Sequence, residues 1–103
     1  MKAFIIDPTQ SEIRPITLSG AEEELKTLLG AKGLEYDGVS PHDDRLCFDE
    51  DCFISQKPGR FQLDNLAPVA GSALVFGAAD ENGELSDVRI DQEALAARIK
   101  FLA

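Results

Sequence analysis

The sequence predicts an α+β fold, an antiparallel-rich β-sheet with two amphipathic helices packed on it. Three observations carry that expectation. Ser72-Ala73-Leu74-Val75-Phe76-Gly77-Ala78-Ala79 is the longest nearly apolar run in the chain, with Pro68 and Gly71 before it and Asp80-Glu81-Asn82-Gly83 after it. Such a run between turn signals reads as a strand buried on both faces, the middle of a sheet. Short alternating segments recur along the rest of the chain, punctuated by Gly, Pro and Asp. Two further stretches, around Leu25 and around Leu95, place their apolar residues at helical spacing. A helix with one apolar side must cover something, and helices on one face of an antiparallel sheet meet that need.

Lys2 to Ile6 reads as the first strand, ended by the turn signal Asp7-Pro8. Ile13, Ile16 and Leu18 mark its hairpin partner. Pro15 lies within that partner and lacks a ladder donor, so it belongs at an edge or bulge. Ser19-Gly20-Ala21-Glu22 fits a capping box, opening a helix from about Gly20 to Leu29 with Leu25, Leu28 and Leu29 inward and Gly30 just past its end. Glu22, Glu23 and Glu24 suit the positive end of the helix dipole, and a solvated helix start explains them.

Gly33 to Val39 is a short strand and Ser40-Pro41-His42-Asp43-Asp44 a loop. Arg45 to Asp49 alternates as a strand; Asp49-Glu50-Asp51 is its turn and Cys52-Phe53-Ile54 its return. Gln56-Lys57-Pro58-Gly59 breaks that strand, and Phe61 and Leu63 alternate in a short extended piece. After the central strand, Asn82-Gly83 is the strongest hairpin signal, since both residues tolerate positive φ. Leu85, Val88 and Ile90 mark the return. Asp91 then caps a second helix to about Leu102, with Leu95, Ile99 and Leu102 on the sheet that contains Leu74 and Phe76.

The chain has 103 residues, enough for one domain with one core, spanning residues 1–103. Its nineteen acids against ten bases give a formal charge of -9. That disfavours nucleic-acid and anionic-membrane partners. The first apolar run is too short for a signal peptide, and no stretch approaches the ~20 apolar residues of a membrane helix. With two cysteines and no secretion signal, the expected location is the cytoplasm and the expected thiols are free.

The densest polar cluster runs from His42 through Asp43, Asp44, Cys47, Asp49, Glu50 and Asp51 to Cys52. Its acids could hold a hard cation, but the EF-hand order and turn glycine are absent, and hydrated strand ends explain them better. The Cys47–Cys52 spacing matches neither a zinc knuckle nor a redox pair. His42 is the only histidine, and a general base there would need a neighbouring carboxylate. Gly71, Gly77 and Gly83 form no phosphate loop, and Gly77 within a strand marks a bulge or close backbone packing. No cofactor, metal or catalytic group is implied.

Met1-Lys2-Ala3-Phe4-Ile5-Ile6-Asp7-Pro8, the stretch Asp44-Arg45-Leu46-Cys47-Phe48-Asp49-Glu50, and Ala67-Pro68-Val69-Ala70-Gly71-Ser72-Ala73-Leu74-Val75-Phe76-Gly77 occur in that order. Together they resemble a family of small domains of unknown function found in bacterial, phage and plasmid genomes. The resemblance covers nearly the whole chain and implies a mobile-element context; it brings no activity and no site residues.

The expected function is therefore a non-enzymatic protein-binding or regulatory module, with a basic protein as partner. The expected contacts are two acidic hairpin tips: Asp49, Glu50 and Asp51 in one, Asp80, Glu81 and Glu84 in the other. Two alternatives stand beside it. One is a small-ligand or metal-binding protein or enzyme with its site near His42 and the acidic hairpin. The other is a homodimeric structural module.

Overall fold

A computed structural model describes residues 1–102. Strands β1 (Lys2–Asp7) and β2 (Glu12–Thr17) precede helix α1 (Glu22–Leu29). Strands β3 (Leu34–Val39), β4 (Asp44–Asp49), β5 (Arg60–Leu63), β6 (Val69–Ala70) and β7 (Ala73–Gly77) follow, and helix α2 (Gln92–Ala96) and strand β8 (Ile99–Leu102) end the fold. Five strands form one sheet in the order β2-β1-β7-β4-β3, and three form a second in the order β6-β5-β8. Every neighbouring pair is antiparallel.

β7 is the centre of the larger sheet and all five of its residues are buried, as an apolar run between turns should be. Its side chains alternate between two cores. Leu74 and Phe76 join Ala3, Cys47, Leu18, Leu25 and Leu29 beneath α1. Ala73 and Val75 join Phe4, Ile6, Leu46 and Phe48, and this group meets Phe61, Leu63 and Val69 of the smaller sheet together with Ile90 and Leu95. The fold thus has three layers: α1, the five-stranded sheet, and the three-stranded sheet with α2. The helices lie on opposite faces of the large sheet, not on one face as expected.

Leu95 is fully buried, but on the side away from Leu74 and Phe76. The second helix is also shorter than its apolar spacing implied. Asp91 caps it as expected, its Oδ1 accepting from the amides of Glu93 and Ala94 at 2.9 and 3.1 Å. It ends at Ala96. Ile99 to Leu102 then extend to pair with β5, Leu63 opposite Ile99 and Phe61 opposite Phe101. β-branched and aromatic residues suit that role, and β5 offers an edge that a helix could not close.

At α1 the capping contact is shifted by two residues. Glu24, not Glu22, reaches back, its Oε1 accepting from the amides of Ser19 and Gly20 at 2.8 and 3.2 Å. Burial works to raise this carboxyl, but those amides and the Ser19 hydroxyl outweigh it and hold its pKa below the ordinary carboxylate range. Gly30 closes the helix in the left-handed region at φ 60°. Leu25 and Leu29 are buried, each worth about 1.5–3 kcal/mol, while Leu28 is 47% exposed.

Two expected return strands do not form. Residues 51–56 fold into successive tight turns, because both sides of β4 are already occupied, by β3 and β7. Residues 85–90 run as an irregular strap with a single bridge, Gly77 to Ser86. The strap is held by the Val88 amide on the Lys2 carbonyl (2.9 Å) and by Asp87 Oδ1 accepting from the Lys2 amide (2.7 Å). Gly77 makes the close approach foreseen for it: a Cβ there would run into the Ser86 hydroxyl and the Asp87 carbonyl. No helix among the described residues is long and apolar enough to cross a membrane.

Candidate functional site

Antiparallel pairing of β4 with β7 sets Asp44 opposite Gly77 and Cys47 opposite Leu74. The turn after β4 and the turn after β7 therefore project from opposite ends of the sheet. The two acidic stretches do not make one surface.

The turn at 80–84 is tied by Asp80, whose Oδ1 accepts from the amides of Asn82 (2.8 Å) and Glu84 (3.0 Å). Asp80, Glu81 and Glu84 are exposed, as expected. At the other end Glu50 and Asp51 are exposed, but Asp49 is only 4% exposed and does not belong to a solvated tip. Its Oδ1 accepts from the Asp51 amide at 2.9 Å, and its Oδ2 lies 3.7 Å from Lys57 Nζ. Lys57 also donates to the Gly30 carbonyl at 2.7 Å, joining the end of α1 to the end of β4. The ammonium and the turn amide explain why Asp49 is drawn inward.

Asp44 is completely buried. Its two oxygens accept from the amides of Arg89 (3.0 Å) and Ile90 (2.8 Å). These bonds satisfy a carboxylate that would otherwise be costly to bury. They also hold the strap just before α2. His42 is exposed in the preceding loop, and Asp44, its nearest inward-facing carboxylate in sequence, is committed to the strap. The structure forms no His42–Asp44 pair. Among the described residues no three of His, Cys, Asp and Glu gather closely enough to hold a metal ion.

Both cysteines are free and buried, in different cores: Cys47 beneath α1 and Cys52 between the sheets. Burial pushes the Cys47 thiol up to about 11, with the Tyr36 hydroxyl from the opposite position on β3 acting the other way. Tyr36 is raised in the same direction, by the partial burial of its ring against Phe76 and then by Cys47 beside it. Neither group is activated for nucleophilic chemistry.

A cleft of about 320 Å³ lies on the small-sheet side of β3. Glu35 and Asp37 stand on one face of β3, opposite Phe48 and Leu46 of β4, and Glu50 closes the cleft from the following turn. Its apolar walls include Phe53 and Leu66, which are 51% and 37% exposed. Arg60 lies over the Phe53 ring, 5.6 Å from its centroid. Among the described residues none of Glu35, Asp37 and Glu50 makes an ion pair. Of these acids only Glu50 was singled out from the sequence; Glu35 and Asp37 join it because β3 and β4 pair in register. A larger groove of about 480 Å³ between β1, β2 and the strap is mainly apolar and offers only Lys2 as a charge.

No protein-family model matches this chain, and no curated protein or solved structure is significantly similar to it.

Proposed function

We propose that this protein is a non-enzymatic binding module that takes a basic partner protein at the cleft between β3 and the turns beside it. The observation that carries the reading is the combination of three unpaired carboxylates, Glu35, Asp37 and Glu50, with the half-exposed apolar groups Phe53 and Leu66. A lysine or arginine side chain has an apolar stem and a charged head, and such a cleft complements both parts. The overall charge of -9, with Asp80, Glu81 and Glu84 at the far end, adds steering for a cationic partner and repulsion of nucleic acid. We propose further that such a module occupies a host protein's nucleic-acid-binding surface, the mobile-element role to which the sequence resemblance alone points.

The test is capture by the immobilised protein, wild type against Glu35→Gln/Asp37→Asn/Glu50→Gln. A protein bearing a basic surface should be retained by the wild type at low salt and released as ionic strength rises, since exposed charges are screened beyond ~8–10 Å at 0.1–0.15 M salt. The triple variant should lose it. Equal retention by both proteins would show that the cleft is not the contact.

A further inference from the structure

We propose that the partner binds as an added β-strand on the free edge of β3, supplied by an extended segment that alternates basic and apolar side chains. This rests on the acidic-cleft reading and specifies its geometry. β3 ends the five-stranded sheet, with β4 on one side only. The Glu50 amide donates to the Gly33 carbonyl, which fixes the phase of the ladder. In an antiparallel pair the bonded and non-bonded positions alternate. Glu35, Asp37 and Val39 therefore turn their peptide groups toward β4, and Leu34, Tyr36 and Gly38 turn theirs outward.

Natural edges are blunted by proline, bulges or cover. The opposite edge, β2, carries Pro15, and α2 is pinned to it by Gln92 donating to the Ile13 carbonyl at 2.6 Å. β3 carries no proline and no bulge, and the one guarding device it has is charge. Gly38 presents no side chain, and the space where its Cβ would stand is open. What the edge does carry is charge of one sign, Glu35 and Asp37, on its cleft face. A second copy of this chain paired symmetrically about Tyr36 would set acid opposite acid, which is destabilising. A basic strand meets the same carboxylates favourably. Side chains on an added strand alternate between faces. Every second residue would reach Glu35, Asp37 and Glu50, and the residues between would lie beside Tyr36, 46% exposed on the other face. Main-chain bonds then supply affinity and the acids supply selectivity, as in other strand-addition complexes.

The probe is a capped peptide of alternating Lys and Val, with two derivatives N-methylated at one or the other alternate set of amides. All three carry the same charge. Strand addition requires that one methylation set weaken binding at least about tenfold while the other is tolerated, because only one set faces the protein. Amide exchange of Tyr36 and Gly38 should slow in the complex. Gly38→Pro removes an outward donor at an edge position that tolerates proline; it should lose peptide binding about tenfold while circular dichroism and thermal unfolding verify its fold. Equal binding of all three peptides would overturn strand addition and leave the acidic cleft standing. Failure of the unmodified peptide to bind at millimolar concentration would overturn strand addition as well, with capture by the triple variant deciding the cleft separately. Exchange protection of Tyr36 and Gly38 that grows with the concentration of the free protein would assign the edge to a second copy and overturn the proposal.

Discussion

At the start of β4 the carboxylate of Asp44 is wholly buried and holds two amides 45 and 46 residues further along the chain. At its end Asp49 is nearly as buried but holds an amide only two residues away, with Lys57 beside it. The same side chain in the same strand thus performs two tasks. One fastens a distant strap that leads into α2; the other closes a local turn. The cost of losing each should follow from what it leaves unsatisfied, not from its burial, which is nearly equal.

Asp44→Ala should be the more damaging. It strands the Arg89 and Ile90 amides, at about 2–5 kcal/mol for two donors that had a charged acceptor. Asp44→Asn should cost less, because one oxygen remains. Urea denaturation measures both, and a midpoint unchanged by the alanine would mean that the strap is not held here.

Cys47, between the two ends, should impose a pH dependence. Its folded pKa of about 11 lies above the ordinary thiol value of ~8.5, so the native state keeps a proton that the unfolded chain releases. Its contribution is complete below pH ~8.5 and is lost as pH rises toward about 11, on the order of 3 kcal/mol in all. Cys47→Ala should flatten the slope of stability between pH 8.5 and 10; an undiminished slope would place its origin elsewhere.

Asp49→Ala should cost about 1–2 kcal/mol, a single hydrogen bond and a partly screened ion pair. A double-mutant cycle with Lys57→Met, which keeps the apolar stem over Gly71, separates the two parts. A loss equal to that of Asp44→Ala would erase the difference between the two ends.

The smallest effect on stability belongs to the exposed acids. Glu50→Gln with Asp51→Asn should change stability by less than about 0.5 kcal/mol. The pair should nevertheless slow association with a basic partner at low salt. A variant that unfolds earlier by a full kcal/mol or more would show that these side chains are structural.

The contrast between Asp44 and Asp49 also marks what the sequence could reveal. Local signals held: the apolar run of β7, the αL glycine after α1, the Asp91 cap and the tight approach at Gly77 all depend on residues within a few positions or on backbone geometry alone. Partners distant in sequence were invisible. Nothing around Asp44 distinguishes it from Asp43, which is exposed, because its reason for being buried lies at Arg89 and Ile90. Ile99 and Leu102 fit a helix by spacing, and only the open edge of β5 turns them into a strand. Likewise Cys52 to Ile54 look like a returning strand until β7 is seen to occupy that side of β4. The cleft was half legible: its turn acid was named, while its two β3 acids required the register.

The order β2-β1-β7-β4-β3 has a consequence for how the chain acquires its shape. β1–β2 and β3–β4 are local hairpins joined only through β7, which comes after both in sequence. Hairpins of this kind form in about 1–10 μs but are marginal alone in water. They have no common sheet until residues 73–77 insert between them. Assembly should therefore behave as a late zipper, with the rate-limiting loop closures all converging on β7. A chain emerging from the ribosome would hold two unjoined hairpins with exposed apolar faces until that strand is free, and this interval is when the protein is most open to aggregation or to capture by a chaperone.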